Sequence, residues 1–131
     1  MKKIIILAVL LFSTSAQADW IKDRMPVDMN EGNIKSLYEV GRSVAYDCEF
    51  YLKRKSISEA GLKDACHNHI MINNTLTDWQ IQYPKIYRQI LLDLINDDYG
   101  FELAFGKYTD RTNNVTMLMT LNFAKLKAIL N

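Results

Sequence analysis

Apolar side chains recur at intervals of three and four residues along much of the chain, a spacing that places them on one face of an α-helix. The first such face begins at Ile34, so Asn33 is the expected N-cap, whose side chain can accept from the free amides of the first turn. The basic run at 53–55 ends this helix, where positive charge is favourable. The apolar face of the first predicted helix comprises Ile34, Leu37, Tyr38, Gly41, Val44, Ala45, Cys48, Tyr51 and Leu52.

Two further helices are predicted in the middle of the chain. The second is capped by Ser58 and fades between Asn74 and Trp79. The third starts at Pro84, a favourable first-turn residue, and stops at Gly100, which can adopt the left-handed conformation that often follows a helix. Their apolar faces comprise Leu62, Ala65, Cys66, His69, Ile70, Asn73 and Leu76 in the second helix, and Ile86, Tyr87, Ile90, Leu91, Leu94 and Ile95 in the third.

The segment 101–112 fits more than one structure. Phe101, Leu103 and Phe105 alternate as in a strand, but the same stretch also suits a short helix. The turn and cap signal at 112–114 precedes a last predicted helix, whose apolar side starts at Val115. The pattern therefore predicts an all-α fold, a small bundle of about four helices.

The first eighteen residues have the three parts of a cleavable signal peptide. Lys2 and Lys3 precede a nine-residue apolar run at 4–12, and Ala16 and Ala18 supply the small side chains of a cleavage site. The run is shorter than the roughly 20 residues that a transmembrane helix needs. We therefore expect cleavage after Ala18 and a periplasmic or secreted domain at 19–131; an uncleaved N-terminal anchor is the alternative.

The charge of the expected mature domain excludes two classes of partner. Without Lys2 and Lys3, 14 of the 16 basic residues remain against 15 acidic ones, a net charge of −1. A near-neutral domain lacks the basic surface that binds nucleic acid, and it lacks the polybasic stripe that holds a protein on an anionic membrane. We expect neither nucleic-acid binding nor stable membrane insertion.

The two cysteines predict a disulfide. Export would place Cys48 and Cys66 in an oxidising compartment. Both lie on predicted apolar faces, nine residues before and nine residues after Ile57, which is near the centre of the short link between the first two helices. In an antiparallel helical hairpin such positions lie side by side. We therefore predict a Cys48–Cys66 disulfide in an N-terminal hairpin; free thiols or a redox centre are the alternatives.

Catalytic and metal-binding motifs are not evident in the sequence. His67 and His69 are two residues apart, about 200° around a helix, so they cannot hold one metal ion together. We expect one of them to be exposed and the other half-buried. No nucleophile motif or phosphate-binding glycine loop is present. We therefore expect no cofactor and no enzyme activity.

Acidic and aromatic residues provide the candidate partner-binding positions. Carboxylates around the C-terminus of the third helix oppose the helix dipole, so a cationic partner surface would explain them, and a solvated face is the alternative. Trp20 and three other aromatic residues fall in or beside predicted loops, where exposed rings anchor protein partners unless they fold back onto the core. The predicted partner-binding residues are Trp79, Tyr83, Asp97, Asp98, Glu102 and Tyr108.

The second helix also resembles part of a known family. Three features resemble the immunity proteins of type VI secretion amidase effectors: a helix ending in a cysteine, a short charged link, and a second helix that opens with the segment ACHNHIMI at 65–72. The similarity spans residues 37–73. It implies an exported helical domain with a disulfide, which binds a cell-wall-cutting toxin in the periplasm, plugs its active site, and often dimerises.

Together these observations predict a periplasmic protein-binding protein of the immunity or inhibitor type. It would neutralise a cell-wall-targeting effector by blocking the active site of that effector. An accessory or structural subunit of a cell-envelope machine is an alternative, and so is a small periplasmic stress or chaperone protein.

Overall fold

The computed structural model describes residues 25–54, 59–121 and 123, and it confirms the all-α fold. These residues form four helices: α1 (Glu31–Lys53), α2 (Glu59–Gln82), α3 (Pro84–Asp97) and α4 (Tyr99–Leu121). No strand occurs in this part of the chain. None of its helices has the length and apolar character that crossing a membrane requires. The predicted signal peptide, Trp20 and Ser58 lie outside the described residues.

Helix α1 begins earlier than its apolar pattern predicts. Its N-cap is Asn30, whose Oδ1 accepts a hydrogen bond of 2.8 Å from the backbone N–H of Asn33. The prediction of Asn33 as N-cap is wrong because its side chain instead donates to the carbonyl oxygen of Asp28, at 2.7 Å. The predicted face is otherwise confirmed, since all of its members except the half-buried Tyr51 are buried.

Helix α2 does not fade between Asn74 and Trp79, as the sequence suggested. The helix continues to Gln82, because the apolar spacing persists beyond the two asparagines: Ile72, Leu76 and Trp79 are all buried on the same face. Helix α2 therefore spans 24 residues and supplies one long wall of the bundle.

The junction between α3 and α4 is tighter than predicted. Helix α3 begins at Pro84, as expected, and ends at Asp97. The prediction that Gly100 adopts a left-handed conformation after α3 is wrong, because no glycine in the described residues has a positive φ and Gly100 lies within the first turn of α4. Asp98 separates the two helices, and its Oδ1 accepts from the backbone N–H of Phe101 at 3.0 Å.

Helix α4 is continuous through the segment that the sequence left open. Residues 101–112 are helical, and the turn predicted at 112–114 is wrong. Asn114 does not act as a cap; its amide donates to Glu49 Oε2 of α1, at 3.3 Å. The buried side chains of α4 keep a helical spacing across the expected break: Phe101, Ala104, Tyr108 and Val115.

The predicted Cys48–Cys66 disulfide is present and joins α1 to α2. The two Cα atoms are 4.7 Å apart, and both side chains are fully buried. The bond fixes the antiparallel hairpin at the end where its link lies. Leu52, Ala65 and Val115 pack around it, so the disulfide is the centre of a small apolar cluster.

Helix α1 lies at the centre of the fold, between α2 and α4. It runs parallel to α4, since Lys35 pairs with Asp98 near one end and Glu49 pairs with Arg111 near the other. In the described residues, helices α2 and α4 have no Cα atoms within 8 Å of one another. They therefore flank α1 with a gap between them.

Helix α3 fills only one end of that gap. Tyr87, near the start of α3, is hydrogen-bonded to Tyr38, with 2.6 Å between the hydroxyl oxygens. Asp98, just beyond the end of α3, forms an ion pair with Lys35. The two contact residues on α1, Lys35 and Tyr38, lie within one turn, which spans about 5.4 Å. Their partners are separated by the stretch 87–98, which would span about 16 Å as a helix. Helix α3 therefore crosses the end of the bundle and does not run along α1. The part of the gap that α3 does not fill remains open as a cleft.

Candidate functional site: a cationic and aromatic surface on α1 and α4

Two of the aromatic residues predicted to bind a partner are core residues. Trp79 is 5% exposed and Tyr108 is 4% exposed. The prediction that they lie in or beside loops is wrong, because α2 and α4 continue through them. Burial raises the pKa of Tyr108 to about 12, and the nearby Thr112 hydroxyl acts in the opposite direction. Neither side chain presents a surface to a partner in this structure.

Tyr83 is the predicted aromatic residue that lies on the surface. It sits at the corner between α2 and α3, where its backbone adopts a non-helical conformation without a side-chain cap. Ile81 and Ile86 are exposed beside it along the chain. This corner is a small apolar surface. It lies at the start of α3, whereas the predicted acidic residues lie at and beyond its end.

The predicted acidic residues, Asp97, Asp98 and Glu102, divide into one structural residue and two exposed ones. Asp98 pairs with Lys35 at 2.7 Å and caps α4. The hydrogen bond from Lys35, followed by that from the amide of Phe101, holds the pKa of Asp98 below its ordinary value. Asp97 and Glu102 are exposed. Asp98 was expected to oppose the dipole at the C-terminus of α3. Its carboxylate instead stabilises the N-terminus of α4, where negative charge is favourable.

The histidines differ in environment. His67 is exposed, whereas His69 is 3% exposed and is more buried than predicted. Burial lowers the pKa of His69 to about 4, so its ring is neutral at pH 7. Its Nδ1 has no hydrogen-bond partner among the described residues. The part of the chain that the structure describes contains no group of three or more His, Cys, Asp or Glu side chains placed to bind a metal ion.

A further candidate surface was not predicted from the sequence. Along α1, Arg42, Tyr46 and Phe50 are spaced by four residues and share a face away from the core, since Tyr46 is 50% exposed and Phe50 is 40% exposed. Arg54 follows at the helix end, and its guanidinium lies 4.2 Å from the centroid of the Phe50 ring.

Helix α4 adds a second row of cations beside this face. Lys107 and Arg111 are four residues apart on α4, and together with Arg42 and Tyr46 they line a groove of about 410 Å³ between the two helices. The Arg111 guanidinium lies 4.7 Å from the centroid of the Tyr46 ring. We refer to the set Arg42, Tyr46, Phe50, Arg54, Lys107 and Arg111 as the cationic–aromatic surface.

A buried carboxylate positions Arg111 within this surface. Glu49 is 5% exposed, and its Oε1 accepts from Arg111 at 2.7 Å and from Lys53 at 3.2 Å. Burial raises the pKa of Glu49, but the hydrogen bonds from Lys53 and Asn114 and the charge of Arg111 outweigh this effect, so the pKa lies below its ordinary value. Glu49 is therefore ionised at neutral pH and holds Arg111 against the ring of Tyr46.

The remaining cations of the groove are available for a partner. Arg42 and Lys107 take part in none of the ion pairs found among the described residues. Asp47 also lines the groove, and partial burial raises the pKa of its carboxyl group. The four cations of the surface against Asp47 and Glu49 leave a net charge of +2. The surface is suited to an anionic partner that also offers apolar contacts.

Comparison with known proteins gives no family assignment. No family model matches the chain, and neither the curated proteins nor the solved structures provide a significant match.

Proposed function

We propose that the protein is a periplasmic protein-binding protein of the immunity or inhibitor type. It binds a cell-wall-targeting effector and blocks the active site of that effector. The observation that carries the proposal is the cationic–aromatic surface, a set of exposed and partly exposed cationic and aromatic side chains on α1 and α4, which pack against each other. The expected signal peptide and the resemblance of residues 37–73 to immunity proteins of amidase effectors support the location and the class.

The chemistry of the surface is that of a protein interface. Tyrosine and arginine are enriched among the residues that contribute most to protein–protein affinity, because each combines a large contact area with hydrogen bonding. Tyr46 and Phe50 supply the apolar area, and Arg111 is already oriented by Glu49 before a partner arrives. Such preorganisation reduces the entropy that binding costs.

The charge of the surface indicates the chemistry of the partner. Arg42 and Lys107 have no intramolecular counter-ion in the described part of the chain, so acidic side chains on the effector would complete their pairing. The complementary surface on the effector is therefore acidic, with apolar groups that meet Tyr46 and Phe50. Complementary charges of this kind also accelerate association at low salt.

The scaffold supports this role. The Cys48–Cys66 disulfide fixes α1 against α2, and Val115 of α4 packs against it. A binding face carried by packed helices keeps its shape, which suits a protein that must fill the site of an enzyme.

Affinity capture with matched variants tests the proposal. The oxidised mature protein, residues 19–131, would be immobilised and exposed to envelope extract, and the bound proteins identified by mass spectrometry. We expect one stoichiometric cell-wall hydrolase, whose activity on purified cell wall falls when the mature protein is added.

Charge-reversal variants connect that result to the surface. Arg42→Glu and Lys107→Glu should each weaken capture and inhibition by about ten-fold or more, because they oppose the acidic partner. Lys85→Glu makes the same charge change at an exposed position on α3 and serves as the control. Capture of several membrane-machine subunits would favour the accessory-subunit alternative. Equal losses in all three variants, or none, would contradict the proposed surface.

A further inference from the structure

A second concave feature, separate from the cationic–aromatic surface, lies in the gap between α2 and α4. Its volume is about 180 Å³, with Tyr38 of α1 and Tyr87 of α3 among its lining residues. Asn73 and Thr77 line it from α2, and Thr112 lines it from α4. We call this feature the α2–α4 cleft.

The α2–α4 cleft is polar but carries no formal charge. Its lining consists of tyrosine, threonine, asparagine and glutamine side chains with a single leucine, Leu76. An ionic ligand that entered it would lose hydration without meeting an opposite charge, which is unfavourable. The lining therefore selects for a neutral ligand that forms hydrogen bonds.

Two of the three threonines that line the cleft differ from those elsewhere in the helices; the third, Thr109, donates to the carbonyl oxygen of Gly106 at 2.9 Å. Thr75 and Thr116 donate to backbone carbonyl oxygens four residues earlier, at 3.0 and 2.8 Å, as helical threonines commonly do. Thr77 and Thr112 make no such bond in the described part of the chain. The Thr112 Oγ1 is buried and has no hydrogen-bond partner among the described residues. Thr77 is exposed and can bond to a ligand directly, whereas the buried Thr112 hydroxyl is an unsatisfied group at the lining of the cleft.

The tyrosines and Asn73 add further free capacity. The Tyr38 and Tyr87 hydroxyls share one hydrogen bond of 2.6 Å, which leaves the proton of one of them unused. The Tyr108 hydroxyl donates to Asn73 Oδ1 at 3.2 Å, which fixes the amide so that its Nδ2 remains available as a donor. The cleft thus presents donors and acceptors in a fixed arrangement.

We propose that the α2–α4 cleft binds a neutral sugar of monosaccharide size. Sugar hydroxyls both donate and accept, which matches the hydroxyl groups of Thr77 and Thr112, and an acetamido group would match the amide of Asn73. The cleft is too small for a helix or a folded segment of another protein.

Titration by nuclear magnetic resonance tests this proposal. The probe is N-acetylglucosamine, added to the isotope-labelled, oxidised mature protein, with anionic glucuronate as the matched charged sugar. We expect saturable shifts of backbone amides in α2 and α4 around the cleft, with a Kd of about 1 mM, as suits a ligand of this size. Glucuronate should give no saturable shifts there.

Conservative variants locate the binding. Thr112→Val and Asn73→Leu keep the side-chain shape but remove the hydrogen-bonding groups, and each should weaken binding about five-fold. Thr116→Val, outside the cleft, should leave it unchanged, and the same spectra show whether each variant is folded. Absence of saturable shifts with N-acetylglucosamine would overturn the proposal, and so would equal binding of glucuronate. Loss of protein-partner capture in Thr112→Val without any sugar binding would assign the cleft to the protein interface instead.

Discussion

Gly41 and Gly106 offer a matched test of how closely the helices pack. Both are helical glycines without a positive φ, one in α1 and one in α4. A Cβ atom added at Gly41 would lie 2.8 Å from Tyr108 Cε2 and 3.2 Å from Ile72 Cγ2. A Cβ atom added at Gly106 would meet nothing within 4 Å. The same substitution, glycine to alanine, therefore has opposite expected effects at the two positions.

The magnitudes follow from two competing contributions. Alanine is favoured over glycine in a helix by about 1 kcal/mol, and Gly106→Ala should gain about 0.5–1 kcal/mol of stability from this alone. At Gly41 the Tyr108 ring cannot move away cheaply, because it is buried, packs edge-on against Tyr38 with a centroid distance of 5.2 Å, and bonds to Asn73. Overpacking there costs about 2–3 kcal/mol. Gly41→Ala should therefore lose about 1–2 kcal/mol.

Equilibrium urea unfolding of the oxidised protein, followed by circular dichroism, measures both variants. The two should differ by about 2 kcal/mol, or about 8 °C in Tm for a domain of this size. The slope of the free energy against urea should stay unchanged, since neither substitution alters the surface exposed on unfolding. If Gly41→Ala were as stable as the wild type, the close approach of α1 to α2 and to α4 at this residue would be refuted.

Three further predictions concern stability. Replacing Cys48 and Cys66 together by alanine should lower the free energy of unfolding by about 3 kcal/mol, measured by urea unfolding, because the unfolded chain loses a crosslink across a separation of 18 residues; an unchanged midpoint would contradict this. The folded-state pKa of His69, about 4, lies below its unfolded value. The neutral ring therefore stabilises the fold fully at pH 7, and up to about 3 kcal/mol of the free energy of unfolding is lost as pH falls from about 6.5 towards 4. The free energy of unfolding should therefore change less with pH in His69→Leu than in the wild type over this range. The same pH dependence in both proteins would exclude the buried histidine as its cause. Tyr38→Phe and Tyr87→Phe should each cost about 1 kcal/mol, with the double variant costing less than their sum, since the two hydroxyls bond to each other; additive losses would show no coupling.

The sequence was informative where apolar spacing and chain geometry agreed. The face of α1 and the Cys48–Cys66 disulfide were predicted correctly because both depend on helical spacing and on distance from the link. The continuations of α2 and α4 were missed since asparagine and threonine favour turns locally. Tertiary packing outweighs that preference in this fold, as Trp79 and Val115 are buried beyond the expected breaks.

The candidate site was harder to anticipate. The basic run at 53–55 was interpreted as charge at the end of a helix, although Arg54 also stacks on Phe50. The spacing of Arg42, Tyr46 and Phe50 by four residues is visible in the sequence and indicates an exposed stripe opposite the apolar face. Its pairing with Lys107 and Arg111 depends on the parallel packing of α1 against α4, which local sequence does not reveal.

Site-specific photocrosslinking in the cell envelope tests the proposed interface most directly. A photoreactive benzoylphenylalanine would replace Tyr46 in one strain and Leu92 in another; Leu92 is 42% exposed on α3 and has a comparable exposure to Tyr46. We expect illumination to join the Tyr46 variant to a single cell-wall hydrolase and to give no adduct with the Leu92 variant. An adduct confined to Leu92, or adducts from Tyr46 to several envelope-machine subunits instead of one hydrolase, would contradict the proposed function.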